Sequence, residues 1–255
     1  MTKRKNRLNQ EELEDLATWE RARKSQQNAQ ALVNKIDIKY KSKAQKDVVL
    51  SMEKNVISVV LGPPGTGKTY LTCARALKFV KDEPLVYKRI VLIKSVNVPK
   101  DEEIGYLKGT LEEKMEMYMY PFISNFHKVI GKQATEELKA SGAIEILPIK
   151  FALGVTLDDA IIIVDEAQQI SKDNLRTLIT RIGNGSKMVF LGDIKQKSVN
   201  KREKSALEIL TEHFVEVDGI GLVQLGKDDI VRHPIIKKLE EIFDRIESSE
   251  KLNGR

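Results

Sequence analysis

The chain has 255 residues, 41% of them hydrophobic, enough for one sizeable core, yet no apolar run approaches the ~20 residues of a membrane-spanning helix and none follows the basic start MTKRKNR as a secretory signal would. The single cysteine, Cys73, excludes an internal disulfide and fits a reducing cytoplasm, the expected location. Net charge is +6 and sits almost wholly at the start: residues 1–54 carry 13 Lys/Arg against 8 Asp/Glu, whereas 55–255 carry 30 against 29. Such a basic flank either attracts nucleic acid or forms a solvated arm.

Residues 1–8 read as a tail. Residues 10–36 lack Gly and Pro and are rich in Glu, Ala, Gln and Leu, which predicts a helix. Its apolar positions gather at the two ends, around Leu13, Leu16 and Trp19 and around Leu32, Val33 and Ile36. A linker from 37 to 43 follows.

Beyond it, short continuous apolar runs alternate with helical segments. Strands are expected at 56–61, 89–94, 143–147, 160–164, 187–191 and 220–225, and helices at 68–81, 111–130, 171–181, 203–213 and 234–247. Continuous rather than alternating apolar strands belong to a sheet covered on both faces, hence a mostly parallel one. The predicted architecture is an α/β domain with helices on both faces of the sheet, from about residue 43 to residue 247. In the last helix, Ile235, Ile236, Leu239, Ile242, Phe243 and Ile246 recur at the spacing of one buried stripe.

Gly62-Pro63-Pro64-Gly65-Thr66-Gly67-Lys68-Thr69 satisfies G-x-x-x-x-G-K-[ST], with a strand before it and a helix after it. The glycines let backbone N–H groups curl around phosphates; Lys68 then reaches the β- and γ-phosphates and Thr69 ligates Mg²⁺. ATP is the expected ligand, bound by residues 62–69 and the adjoining Tyr70. The strand at 160–164 ends in Asp165 and Glu166. Strand ends of parallel sheets are where ligands bind. Asp165 is the expected second Mg²⁺ ligand, and Glu166 is placed to orient and deprotonate an attacking water, which favours hydrolysis over transfer to an acceptor.

The next strand ends in Gly192-Asp193-Ile194-Lys195-Gln196, where the Gln196 amide can bond both a phosphate and a water. Arg181 and Arg232 are both candidates for an arginine finger lent by a neighbouring subunit; each is equally a candidate for a surface ion pair. Lys195, Lys197, Lys201, Arg202 and Lys204 crowd one loop, and Lys94-Ser95 end the second strand. These suit a phosphate backbone, against a solvated loop as the alternative. The soft segment Met115, Met117, Tyr118, Met119, Tyr120 and Phe122 suits packing better than base stacking. Cys73 is expected in the core, and His127, His213 and His233 lack metal-ligand spacing.

Taken together, GPPGTGKTYL (62–71), IGYLKG (104–109), TLDDAIIIVDEAQ (156–168), LITRIGNGSKMVFLGDIKQ (178–196) and DIVRHP (229–234) resemble the PhoH-like ATPases, relatives of the N-terminal motor domain of superfamily-one helicases. The resemblance implies a RecA-like P-loop core over 41–255, preceded by a basic tail and helical segment over 1–40. It implies that Gln168 couples the nucleotide to bound nucleic acid, that Gln196 contacts the γ-phosphate, and that Gln45 is similar to the adenine-reading glutamine of helicases. Two departures stand out: Lys94-Ser95 where the family usually has Arg-Pro, and Leu153 and Val155 where it usually has arginines. No PIN-type nuclease domain is recognisable, and the compact length resembles the phage and short bacterial versions. With room for one motor domain, the chain is expected to complete its site as a homo-oligomer, a hexameric ring by likeness to single-domain ring ATPases. Single-stranded RNA is the expected partner. A nucleotide-gated regulatory module with slow turnover is the alternative.

Overall fold

The computed structural model describes residues 20, 23–24, 36–94, 111–196 and 203–253. Of the helix expected at 10–36, Glu20, Arg23 and Lys24 are helical and exposed, and Ile36 is buried in the core; the rest lies outside the described residues.

Six strands form one sheet: β1 (Ile57–Leu61), β2 (Arg89–Lys94), β3 (Ile144–Pro148), β4 (Ala160–Asp165), β5 (Lys187–Gly192) and β6 (Ile220–Gln224). Their order in space is β3-β2-β4-β5-β1-β6, and every pairing is parallel. Eight helices accompany them among the described residues: α1 (Lys43–Lys54), α2 (Lys68–Asp82), α3 (Leu111–Ile130), α4 (Lys132–Ala140), α5 (Ile149–Ala152), α6 (Lys172–Ile179), α7 (Ala206–His213) and α8 (Ile235–Asn253). None is long and apolar enough to cross a membrane.

The period-two geometry of a strand divides the core into two layers. Ile161 and Ile163 of β4 join Val48, Leu77, Phe122 and Leu138 under α1–α4. Ile162 and Val164 join Leu175, Leu178, Leu207 and Leu210 under α6 and α7. Both faces of β4 are therefore dry, which is why its sequence is an unbroken apolar run. β6 is different. Among the described residues it pairs only with β1 and is half exposed, so the expectation of two-sided burial holds for the inner strands and fails at this edge.

Three helices were absent from the sequence expectation. α1 begins where the linker was to end: Ser42 caps it, its Oγ accepting from the Gln45 N–H at 3.1 Å, and Val48 and Met52 bury one side. α4 and α5 are short and carry few buried residues. The stripe on α8 departs from expectation in the other direction. Ile235, Leu239, Ile242, Phe243 and Ile246 are 42–58% exposed rather than buried. The helix leans on the 3-10 turn Lys227–Asp229, where Lys237 pairs with Asp228, and among the described residues its apolar side stays largely exposed.

Candidate nucleotide site

The C-terminal ends of β1, β5 and β4 lie side by side, with Leu61 in register with Gly192. The loop after β1 closes over this edge. Gly67 caps α2 in the left-handed region at φ +88°, and as a glycine it offers the first amides of the helix no side-chain cap. Those amides, on the positive end of the helix dipole, face the loop's own hollow, which is a ready anion cradle. Lys68 Nζ donates to the carbonyls of Gly62 and Pro63, the latter at 3.0 Å. Burial lowers its proton affinity, and Asp193, Asp165 and Glu166 counteract that. Thr66 Oγ1 donates to the Pro63 carbonyl at 3.0 Å and stiffens the loop.

Gln45 reaches the loop from α1. It is buried; its Nε2 donates to the Thr66 carbonyl at 3.0 Å and its Oε1 accepts from the Lys41 N–H at 2.8 Å. In this arrangement its amide braces the phosphate loop.

Opposite Lys68 stand the acids. Asp165 ends β4, in register with Lys94 of β2. Burial, then the neighbouring Glu166 carboxylate, pushes its pKa up to about 6, against the pull of Lys94 and Lys68. Glu166 is held at φ +54°, an unusual backbone for a residue with a β-carbon, and this turns the chain out of the strand into the 3-10 turn Ala167–Gln169. Thr69 and Asp165 line one cavity. A hydroxyl and a desolvated carboxylate on that wall fit a divalent cation that would also meet phosphate oxygens and water. Among the described residues no group of three or more His, Cys, Asp or Glu is gathered for a metal.

The cavity has a volume of about 620 Å³. Besides the loop residues Pro64, Gly65, Gly67 and Tyr70, its wall includes Lys94, Gln196 and Arg232 from the expected set. Arg232 belongs to the same chain's own cavity: the Val231 N–H donates to the Gly65 carbonyl at 2.9 Å, and the arginine stem lies over Gly65. Arg181 is elsewhere. Its carbonyl accepts from the Leu157 N–H at 2.8 Å, ahead of β4, at the end of the sheet remote from Asp165. Gln196 is exposed at the end of the 3-10 turn Ile194–Gln196, with Lys195 beside it. Gln168, in contrast, is buried and bonds Glu166 and the Asp193 backbone. Ser95, Lys197, Lys201 and Arg202 lie outside the described residues.

Within the soft segment, Met119 and Phe122 are buried in the core and Tyr120 is exposed, while Met115, Met117 and Tyr118 have side chains outside the described set. Cys73 is wholly buried, and its thiol pKa is pushed well up. Sequence reasoning missed Lys39, Lys41, Asn125 and Lys128, which also line the cavity. No local motif marks them; tertiary packing brings them there.

A phosphate cradle on a parallel sheet, a lysine above it and an acid pair across one cavity define a P-loop NTPase core of the RecA-like kind. The chain belongs to the PhoH-like family: the family model described as "PhoH-like protein" matches residues 37–244. Among curated relatives, the PhoH-like protein of Bacillus subtilis (strain 168) is 38% identical over 208 residues, covering 82% of this chain and 64% of that protein. The PhoH-like protein of Synechocystis sp. (strain ATCC 27184 / PCC 6803 / Kazusa) is 30% identical over 212 residues, covering 83% and 64%. The chain thus spans less than two thirds of the length of these relatives. Among solved structures, the UvsW helicase from bacteriophage T4 is similar with a TM-score of 0.47 at 11% identity, over 78% of this chain and 66% of that one.

Proposed function

We propose that the chain binds ATP with Mg²⁺ and hydrolyses it, using the nucleotide state to bind or remodel single-stranded RNA. The observation that carries this reading is the shared cavity of Lys68, Asp165, Glu166 and Gln196. Lys68 and the loop amides bind and orient the phosphates, Thr69 and Asp165 hold the cation, and Glu166 takes the proton of the attacking water. The cation, when bound, supplies charge neutralisation at the phosphates. Lys94 and Lys195, with Ser95, Lys197, Lys201 and Arg202 of the same two stretches of sequence, are the candidates for contacts to the phosphate backbone of a strand; Gln196 is the candidate for the γ-phosphate, and Gln45 stays the candidate reader of the base. Residues 41–255 form the ATPase domain and 1–40 a basic flank, in the cytoplasm.

The proposal includes an oligomeric assembly, a hexameric ring by preference, in which Arg181 would serve a neighbour's cavity. That arginine stands too far from its own cavity to act there, so any catalytic role requires a neighbour. Phosphate release is measured with and without single-stranded RNA and DNA, at low salt where phosphate contacts are strongest. Stimulation by RNA that Lys68→Ala and Glu166→Gln both abolish supports the proposal; the absence of any nucleic-acid effect removes its RNA part.

The exposed apolar side of α8 favours a second reading, a nucleotide-gated module that docks a protein partner and turns over slowly. Removal of 1–40, or charges placed on α8, would then abolish partner binding with turnover intact.

A further inference from the structure

The cavity over the phosphate loop carries more positive charge than a nucleoside triphosphate engages. Six cationic side chains line it, against the three carboxylates of Asp165, Glu166 and Asp193. Three of the six serve the triphosphate end: Lys68 in the loop, Arg232 over Gly65, and Lys94 in register with Asp165. The other three are Lys39, Lys41 and Lys128. They come from the approach to α1 and from α3, elements that pack against α2, and not from the strand ends that carry the acids. Among the described residues none of these three makes an ion pair.

Their backbone positions are held. The Lys41 N–H donates to Gln45 Oε1 at 2.8 Å, and Gln45 Nε2 donates to the Thr66 carbonyl at 3.0 Å. A buried amide thus pins the approach to α1 to the phosphate loop. On α3, Pro121, Asn125 and Lys128 recur at the spacing of one helical face, and all three line the cavity. The Pro121 carbonyl accepts from Asn125 Nδ2 at 2.7 Å, so the amide turns its NH₂ group to the helix and keeps Oδ1 as an acceptor.

Adenosine bears no charge. With the phosphates of a mononucleotide on the loop, its ribose and base offer these lysines no anion. We propose that the site takes a nucleoside triphosphate whose ribose carries a further phosphate, and that Lys39, Lys41 and Lys128 form the subsite for that second anion. The proposal rests on the reading of the phosphate loop as a nucleotide site. Lysine ammonium groups bind phosphate as point charges and need no fixed fork, which suits three side chains reaching in from separate elements. Asn125 Oδ1, on the same helical face as Lys128, offers an acceptor to the ribose hydroxyl that stays free. Two sources share this chemistry. One is a free nucleotide phosphorylated on its ribose. The other is the 5′-triphosphate end of an RNA, whose first ribose is esterified to the next residue.

The test is competition against a fluorescent ATP analogue, at low salt with magnesium. The probes are ATP, adenosine 3′-phosphate 5′-triphosphate and the dinucleotide pppApA. The native protein is expected to bind a ribose-phosphorylated probe about tenfold more tightly than ATP, the scale of two or three exposed ion pairs. That preference should narrow as salt is raised. A gain for the mononucleotide alone assigns a free nucleotide, and a gain for the dinucleotide assigns an RNA end. With Lys39→Ala, Lys41→Ala and Lys128→Ala combined, the affinity ratio of that probe to ATP is expected to fall to about one. Equal affinity for all three probes in the native protein overturns the proposal and leaves the nucleotide site standing. A triple variant that weakens all three probes alike also overturns it, because the lysines then serve the triphosphate itself. An analogue that binds Lys68→Ala as tightly as the native protein overturns the reading of the loop, and the second subsite with it.

Discussion

The stem of Arg232 lies against the α-carbon of Gly65: a β-carbon there would stand 2.9 Å from Cδ and 3.0 Å from Cγ of the arginine. Gly65 is also left-handed at φ +87°, so an added methyl group meets both strain and the arginine. The segment after β6 is thereby docked on the phosphate loop of its own chain. Arg232→Ala is expected to lower kcat by about 10³-fold, the low end for an arginine finger. Mixing Arg232→Ala with Lys68→Ala protein should restore nothing, because both residues serve one cavity. Arg181→Ala mixed with Lys68→Ala should regain activity if Arg181 serves a neighbour. Steady-state phosphate release on the mixtures decides, and recovery in the first mixture contradicts the same-chain role of Arg232.

Asp165 links the site to stability. Its folded pKa of about 6 lies above the ordinary 3.8, so the folded chain binds this proton more tightly than the unfolded chain does. Its contribution to stability is full below pH 3.8 and is lost as pH rises through about 6. At neutral pH the ionised group is a liability of about 3 kcal/mol at most. Asp165→Asn is therefore expected to melt higher than the native protein at pH 7.5 in EDTA, with the difference closing towards pH 4. Equal melting temperatures at pH 7.5 contradict this. Magnesium and nucleotide should stabilise the native protein more than the variant, since the carboxylate they need is the one removed.

The apolar side of α8 is largely exposed among the described residues. Phe243 is 58% exposed, so Phe243→Ser should change stability by no more than about 0.5 kcal/mol. If a second copy covers the helix, the same change should reduce the oligomeric mass measured by light scattering. A large loss of melting temperature with unchanged mass would show that the helix packs on its own chain instead.

How far the sequence announces all this depends on where each signal resides. Strands β1, β2, β4 and β5 were legible to within a residue or so because burial on both faces makes their interiors a continuous apolar run, broken only by Ser58 in β1, whose hydroxyl is paired with that of Ser51. α4 escaped because only Thr135 and Leu138 of KQATEELKA are buried. α1 carries a clear cap in Ser42, which the run of lysines around it obscured. The α8 stripe misled because periodicity reports amphipathicity and not what covers the face. At the site, Lys68, Thr69, Asp165 and Glu166 are legible as consecutive motifs at strand ends. Asn125 and Lys128 are not, since they reach the cavity from α3 through packing alone. Gln168 was legible as a residue of interest, but its burial behind Glu166 was not.

If Lys68 and Glu166 make this cavity a hydrolytic one, both must be needed for turnover. The most direct measurement is magnesium-dependent phosphate release from ATP, compared across the native protein, Lys68→Ala and Glu166→Gln, with binding of a fluorescent ATP analogue followed in parallel. Turnover is expected in the native protein alone, with analogue binding lost in Lys68→Ala and retained in Glu166→Gln. Phosphate release that is undiminished in Glu166→Gln would contradict it.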